Sequence, residues 1–451
     1  MHSQAKSPFW RTIATRERMG WVLYDWANSA YVLCVITVIG SAYFVGLFEA
    51  AAEGAGDLRL GPAPALRVAG LALTAEAAWS LVVGLSALIV AVSSPLLGAI
   101  ADVSGVKKRF LQAYCAVGVA ATLGLWFSLP WWAVGLLILI SNVGFEGGNV
   151  FYNGFLPEIA GAGAWDQVSS AGYAFGYLGG VIVLIASLVF FVPPGGLDKE
   201  AFLLVGVWWG GFALITFALL TERPAQRPRA GLRRLTADAW RELKTTVGEV
   251  RQVPQAALFL VAFLLYNDGI ATLISNVTPY ALQNIYLDAA LTEKITLNEL
   301  IRAIILVQII AFPGSIFCSW LATRYGEKPT LYFTLAVFTG VVTYGQVVQL
   351  VSEFYVMAAM IGMVLGGAQA ISRSLFASFV PPGKNAEFFG FFAVSSKFSA
   401  MFGPLLYGGL LLLTGNTRLA ILSLTVFFLA GGTALYFVNV EKGRADAAQA
   451  G

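Results

Sequence analysis

Apolar runs of about 20 residues or more recur along most of the chain, each long enough to cross a hydrocarbon layer about 30 Å thick as a helix. They predict spans at 22–48, 77–101, 110–128, 131–156, 169–192 and 201–221, then at 255–280, 299–322, 330–350, 354–380, 388–413 and 419–438. Short polar or glycine-containing stretches separate them, except between the sixth and seventh. There a long polar segment carries eight basic residues, Arg223, Arg227, Arg229, Arg233, Arg234, Arg241, Lys244 and Arg251. It begins proline-rich and then reads as an amphipathic surface helix around LTADAWRELKTTVGEV. The pattern predicts an all-α polytopic membrane protein of twelve transmembrane helices in two six-helix bundles. The first bundle covers 1–221, a linker 222–254, and the second bundle 255–451.

A repeated turn supports two related halves. GAIADVSGVKKR follows the second span and SWLATRYGEKP the eighth, so that Gly98, Asp102, Gly105 and Lys107 align with Ser319, Thr323, Gly326 and Lys328. Internal repeats of this kind are characteristic of transporters. Basic residues also set an orientation, because they accumulate on the cytoplasmic side. Lys6, Arg11, Arg16 and Arg18, the Lys107–Arg109 cluster, the linker, Arg324, Lys328, Lys384, Lys442 and Arg444 all fall on one side. Only Arg59, Arg67, Lys199, Lys294 and Arg418 fall on the other. Both termini and the linker are therefore expected in the cytoplasm. The first span follows a short basic segment without a cleavage site, so it reads as a helix rather than a removable leader, and the cell membrane is the expected location.

Composition excludes most other classes. Of 451 residues 58% are hydrophobic and 12% charged, about half the charged share of a soluble domain. The net charge of +3 gives no reason to expect a nucleic-acid partner. With one histidine, His2, and three cysteines inside apolar runs (Cys34, Cys115, Cys318), no metal site, catalytic triad or cofactor is expected. The cysteines read as buried thiols.

Charge inside the spans is scarce enough to be informative, since each such group costs about 2.5–3.5 kcal/mol to insert and so faces a protein interior or a wet cavity. The acids are Asp25, Glu146 and Asp268; the bases are Arg302, Arg373 and Lys397. Spans 1, 4, 7 and 10 hold four of these six, and spans 3, 6, 9 and 12 hold none. The first set is expected to line a central cavity and the second to face lipid. Helical spacing places Asn142, Glu146, Asn149 and Asn153 on one face of span 4, and Asp268, Thr272, Ser275 and Pro279 on one face of span 7. Span 1 adds Tyr24, Asn28 and Tyr31 beside Asp25, and span 10 adds Gln369 one turn from Arg373. Arg302, near the outer end of span 8, is expected to snorkel. Glycines recur every fourth residue at Gly172, Gly176 and Gly180, with the same spacing at Gly362 and Gly366; these predict close helix packing, and a smooth seam along which one half rocks on the other.

With this organisation and the turn at Gly98, Asp102, Gly105 and Lys107, the chain resembles the major facilitator superfamily. In that superfamily the turn is a latch between halves, which the resemblance assigns to Gly98, Asp102, Gly105, Lys107 and Lys108; Thr323 in the second copy argues against a symmetrical one. GWVLYDWANSAY (20–31), NGFLPEIA (153–160), and ISRSLF running on to PPGKNAEFFGFFAVSSKFSAMFGPLLYG (371–408) resemble the vacuole-effluxer branch, named for fungal autophagy-related amino-acid exporters. The resemblance implies export of neutral amino acids.

The expected activity is secondary active transport of a small polar solute by alternating access, with amino acids foremost and the chain acting as a monomer in the lipid bilayer. A substrate carboxylate needs a cation, for which Arg373 offers a fork that Lys397 does not. Its ammonium needs an anion, for which Asp25 or Asp268 serves. Glu146, in a low-dielectric wall, is the candidate carrier of a coupled proton, H+. Efflux of drug-like or amphipathic solutes and uptake of cell-wall sugar-peptide fragments are the alternative transport readings. A polytopic enzyme lacks the acid, His or Cys cluster it would need, and a transport-dead sensor working through the linker is the remaining option.

Overall fold

Every one of the twelve predicted spans coincides with helix in the computed structural model, which describes residues 9–56, 59–60, 63–68, 71–161, 163–191, 199–222, 253–398 and 402–449. The helices are α1 (Arg16–Ala55), α2 (Ala75–Ser104), α3 (Lys107–Gly124), α4 (Trp131–Asn153), α5 (Trp165–Phe190) and α6 (Glu200–Leu219). They continue as α7 (Pro254–Asn284), α8 (Leu297–Tyr325), α9 (Glu327–Tyr344) and α10 (Val351–Ala377). Helix α11 comes in two pieces, Asn385–Phe398 and Phe402–Thr414, and α12 runs over Thr417–Phe437. Among the described residues nine helices are long and apolar enough to cross a membrane. The others are α3, with three basic residues in its first turn, the 18-residue α9, and the two short pieces of α11. The linker, with its expected amphipathic helix, lies outside the described residues.

Two features depart from the expected pattern. The connector between α1 and α2, part of an otherwise helical chain, forms a small antiparallel sheet of three strands, β1 (Arg59–Leu60), β2 (Ala63–Val68) and β3 (Leu71–Thr74). In the sequence Gly61, Pro62 and Gly70 punctuate this stretch, which disfavours a continuous helix. The second departure is in α1, where Val32–Val38 winds as a π-helix between two α-helical segments. The Ile39 N–H bonds to the carbonyl of Cys34, five residues back, and the Thr37 hydroxyl donates to the Val32 carbonyl at 3.0 Å. Gly40 admits this turn, because a Cβ there would lie 2.3 Å from the Val35 carbonyl oxygen.

Close packing explains the order of the bundle. Helix α5 crosses α1 at the glycine ridge, where a Cβ at Gly176 would meet Ser29 Oγ at 2.6 Å and one at Gly180 would meet the Ser29 carbonyl at 3.3 Å. Helix α10 crosses α8 in the same way: a Cβ at Gly362 would sit 2.7 Å from the Val307 carbonyl. The same ridges also reach the other half, since a Cβ at Gly172 would lie 3.0 Å from Arg373 Nη2 and one at Gly366 2.7 Å from the Tyr177 ring. Further glycines meet the opposite half on α2 and α11, with Gly98 against Ala386 and Gly390 against Ser94 and Pro95. Small residues at that crossing let two backbones approach where a larger side chain would hold them apart. Exposed apolar residues such as Val207 and Leu214 on α6 and Val426 and Leu429 on α12 form the outer surface.

Replacing Gly40 by Ala is expected to destabilise the protein by about 1–3 kcal/mol, as overpacking does, and to lower its thermal unfolding midpoint in detergent. Gly46→Ala, whose Cβ would meet nothing within 4 Å, is expected to leave the midpoint unchanged.

Candidate functional site

A cavity of about 840 Å³ lies between the two halves, within the usual range for small-molecule sites. Its walls come from α1, α4 and α5, with Trp79 of α2, and from α7, α8, α10 and α11. None of its lining residues belongs to α3, α6, α9 or α12. It runs from Asn153 and Arg373, near the basic end of the bundle, toward Ser41, Trp79, Leu300 and Phe354 at the opposite end.

The wall contributed by the first half is polar. Asp25, Asn28 and Ser29 of α1 face Glu146, Asn149 and Asn153 of α4, and the Asn28 amide donates to Asn149 Oδ1 at 3.0 Å. The second half contributes a mainly apolar wall, including Leu273, Ile304, Met357, Ile361 and Leu365. Thr37, within the π segment, and Ser41, beyond it, also belong to the first wall. At 100° per residue, Ser41 of an unbroken α-helix would point about 160° away from Asp25.

Arg373 forms the floor. It is 3% exposed, and all five of its N–H groups have acceptors in the first half. Nε donates to Ser169 Oγ at 2.9 Å and Nη2 to the Ser169 carbonyl at 2.9 Å. Nη1 donates to Asn153 Oδ1 at 3.2 Å, and both Nη1 and Nη2 reach Asp25 Oδ2 at 3.3 Å. The guanidinium also lies over the rings of Tyr173 at 4.3 Å and Trp21 at 4.6 Å, where the π faces attract a cation. Two further contacts cross between the halves here: Ser169 Oγ donates to the Ala370 carbonyl at 2.8 Å, and Ser374 Oγ to Asp166 Oδ1. Higher on the wall, the Tyr177 hydroxyl donates to Gln369 Oε1 at 2.8 Å.

A second cluster closes the basic end beneath this floor. Lys107 Nζ pairs with Asp102 at 3.2 Å, with Glu158, and with the Gly154 carbonyl at 3.2 Å. Burial alone would pull the Lys107 ammonium down, but Asp102 and Glu158 together hold it above the ordinary lysine value, so it stays charged. Both acids also reach the second half: Asp102 accepts from the Glu387 N–H at 2.9 Å, and Glu158 from the Asn385 amide at 3.1 Å. Asp102 thus serves the first turn of α11, where backbone donors lack helical partners. Gly105 turns the chain out of α2 in the left-handed conformation, φ +63°, and Gly98 brings α2 against the α11 backbone.

The predicted residues separate into two groups. Asp25, Asn28, Glu146, Asn149, Asn153, Gln369 and Arg373 line the cavity. Three others do not, for identifiable reasons. Tyr24 points into the core of the first half, 4.9 Å from Tyr152 and 6.4 Å from Phe217. Asn142 donates to Ser86 Oγ and ties α4 to α2. Asp268 accepts from the Gly403 N–H at 2.8 Å and supports the start of the second piece of α11; Ser275 lines the cavity while Asp268 and Thr272 face α11. Lys108, expected in the latch, instead bonds at the end of α6: its side chain donates to the Leu220 carbonyl and its N–H to Glu222. The Lys397 side chain lies outside the described residues. Arg302 is 70% exposed and paired with Glu299.

Trp21, Ser169, Tyr173 and Tyr177 were not singled out by sequence. Ser169, Tyr173 and Tyr177 recur every fourth residue, so the spacing rule applied to spans 1, 4, 7 and 10 would have found a polar face on α5 as well. The apolar stretch of α5 carries no charge, so charge alone does not mark this face.

Comparison with known proteins follows the same lines. The family described as "Vacuole effluxer Atg22 like" matches residues 14–448. The uncharacterized MFS-type transporter YxiO of Bacillus subtilis is 31% identical over 438 residues, covering 95% of this chain and 96% of that one. Autophagy-related protein 22 of Coccidioides immitis is 23% identical, covering 97% and 89%. Among solved structures, the human organic anion transporter MFSD10 (TETRAN) superposes with a TM-score of 0.68 at 15% identity, covering 95% of this chain and 100% of that one. The major facilitator transporter FucP in the outward conformation does so with 0.62 at 12% identity, covering 95% and 99%. These likenesses show the major facilitator fold.

Arg373→Met is expected to cost about 3–5 kcal/mol of stability, because it leaves Asp25 as a buried charge without its partner. Adding Asp25→Leu should recover most of that loss. Thermal melting of the two single variants and the double variant measures the coupling, and equal melting of Arg373→Met and the double variant would contradict it.

Proposed function

The chain belongs to the vacuole effluxer Atg22-like family and is a multi-pass membrane transporter of the major facilitator type; from that premise we propose that it carries neutral amino acids by alternating access. The two halves, 1–221 and 255–451, are read as the moving bodies and 222–254 as their tether. The observation that carries this reading is the cavity floor, where one cation and one anion, Arg373 and Asp25, stand side by side, with Glu146 the other acidic residue among the cavity's described lining residues. An amino acid presents the complementary pair of charges, and the apolar wall of the second half suits a hydrocarbon side chain.

The geometry supports a definite access state. If basic residues mark the cytoplasm, the Arg373 and Lys107 clusters shut the cytoplasmic end and the cavity faces outward. Asp102, Lys107 and Glu158 then act as the latch through Asn385 and the first turn of α11. Opening inward must break both clusters, and midplane substrate sites between repeats are reached from alternate sides in this way. The cell membrane is the setting proposed for it. Glu146 lies on the polar wall above the floor and is assigned the coupled proton.

A second reading, carriage of amphipathic solutes, is favoured by the apolar wall alone. It predicts flux of lipophilic cations or anions that survives loss of the charged floor.

Purified protein in liposomes, given a mixture of labelled amino acids and an imposed pH gradient, is expected to show gradient-dependent amino-acid flux. Absence of flux for every amino acid would end the reading. In Glu146→Gln, exchange of amino acid for amino acid is expected to persist while the response to the pH gradient is lost. Equal loss of both would remove Glu146 from proton coupling.

A further inference from the structure

We propose that the Arg373–Asp25 pair is a stand-in for the substrate, and that a solute unlocks the two halves only by replacing both charges of the pair together. This rests on the reading of the chain as an amino-acid carrier and adds a rule: neither charge of the pair is replaced alone, so the solute that unlocks the halves carries both charges on one molecule.

The rule follows from how the floor is held. Every N–H of Arg373 already has an acceptor, so a solute carboxylate gains a bond to the guanidinium only by displacing one. The acceptors are unequal. Both Ser169 contacts are 2.9 Å, whereas Asp25 makes its two contacts at 3.3 Å, through the single oxygen Oδ2. Charge-assisted pairs are normally 2.7–2.9 Å and are best when each carboxylate oxygen meets its own N–H. Asp25 is therefore the acceptor that a better-fitting carboxylate displaces.

The exchange comes from the cavity. Both partners line it, while the other side of the pair is closed by α5, where a Cβ at Gly172 would lie 2.3 Å from Asp25 Oδ2 and 3.0 Å from Arg373 Nη2. Displacement by an anion alone strands the Asp25 carboxylate at 9% exposure, and capture of Asp25 by a cation alone strands Arg373. Either leaves a buried charge without a counter-ion, the arrangement a protein interior tolerates least. A zwitterion supplies an anion to Arg373 and an ammonium to Asp25 in one step, and the net charge of the floor does not change. Because Asp25 sits on the first half and Arg373 on the second, the same exchange removes the one direct ion pair that joins the halves at the floor among the described residues.

The test uses the full chain in liposomes and measures counterflow of labelled leucine driven by unlabelled compounds. The compounds are leucine, its methyl ester (cation only), 4-methylpentanoate (anion only), and the ester and acid together. Leucine is expected to drive counterflow. Each single-charge analogue is expected to drive at least tenfold less, and the mixture is expected not to restore the rate. In Asp25→Asn, which leaves no anion to strand, 4-methylpentanoate is expected to gain at least tenfold relative to leucine; a merely structural residue would not produce a gain. Counterflow by either analogue within twofold of leucine in the native protein would overturn the rule and leave the amino-acid reading standing. If no amino acid drives counterflow, the reading itself fails and the rule with it. Should Asp25→Asn fail to fold, the analogues on the native protein still decide.

Discussion

A guanidinium removed from water needs a partner for each of its five N–H groups, and at Arg373 every one of those partners comes from the other half of the molecule. That requirement organises the basic end. It fixes where α1, α4 and α5 meet α10, and it places Trp21 and Tyr173 against the charge. With the halves joined there and again at Lys107, the space between them reaches toward the opposite end. A buried ion pair is a weak source of net stability. What it does supply here is register: loss of either partner makes the docked arrangement costly, so the halves dock in one alignment.

Much of this was legible in the sequence because a bilayer simplifies the rules. Twelve apolar runs predicted helix at twelve positions, and the scarcity of charge within them picked out Asp25, Glu146 and Arg373, all of which line the cavity. Helical spacing grouped Glu146, Asn149 and Asn153 correctly. The same spacing misplaced Asn142, since a shared face is wide enough for one end to meet α2 while the other meets the cavity. For Tyr24 and Asp268, proximity along a helix was taken for a common direction, yet each turns to a different neighbour. An insertion cost identifies a polar group that must be satisfied. It does not distinguish a cavity from a helix end such as the one that satisfies Asp268.

The π turn and the small sheet were beyond such rules for a different reason. Hydrophobic periodicity over Val32–Val38 is that of any buried run, and no residue announces an extra backbone position. The only local clue, Gly40, is one glycine among 48, and its meaning depends on a carbonyl five residues back. The ridge at Gly172, Gly176 and Gly180 illustrates the same limit. Spacing showed that something packs closely there, but not that the partners come from both halves.

The repeated turn ends up doing different work in its two copies. In the second half Lys328 donates to the Tyr436 and Val438 carbonyls at the end of α12, as Lys108 does to Leu220 at the end of α6 in the first half; Thr323 has replaced the acid that reaches across. A carrier latched at one end only has unequal resting populations when empty, and its apparent affinity on each side scales with the fraction of molecules open to that side. Solute would thus meet a ready site from the cavity side and a rare one from the latched side. Such asymmetry sets how steeply each direction saturates, but detailed balance forbids it from pumping. Any accumulation against a gradient must be drawn from a second gradient, and the one-sided latch proposed above would govern only how quickly that equilibrium is approached.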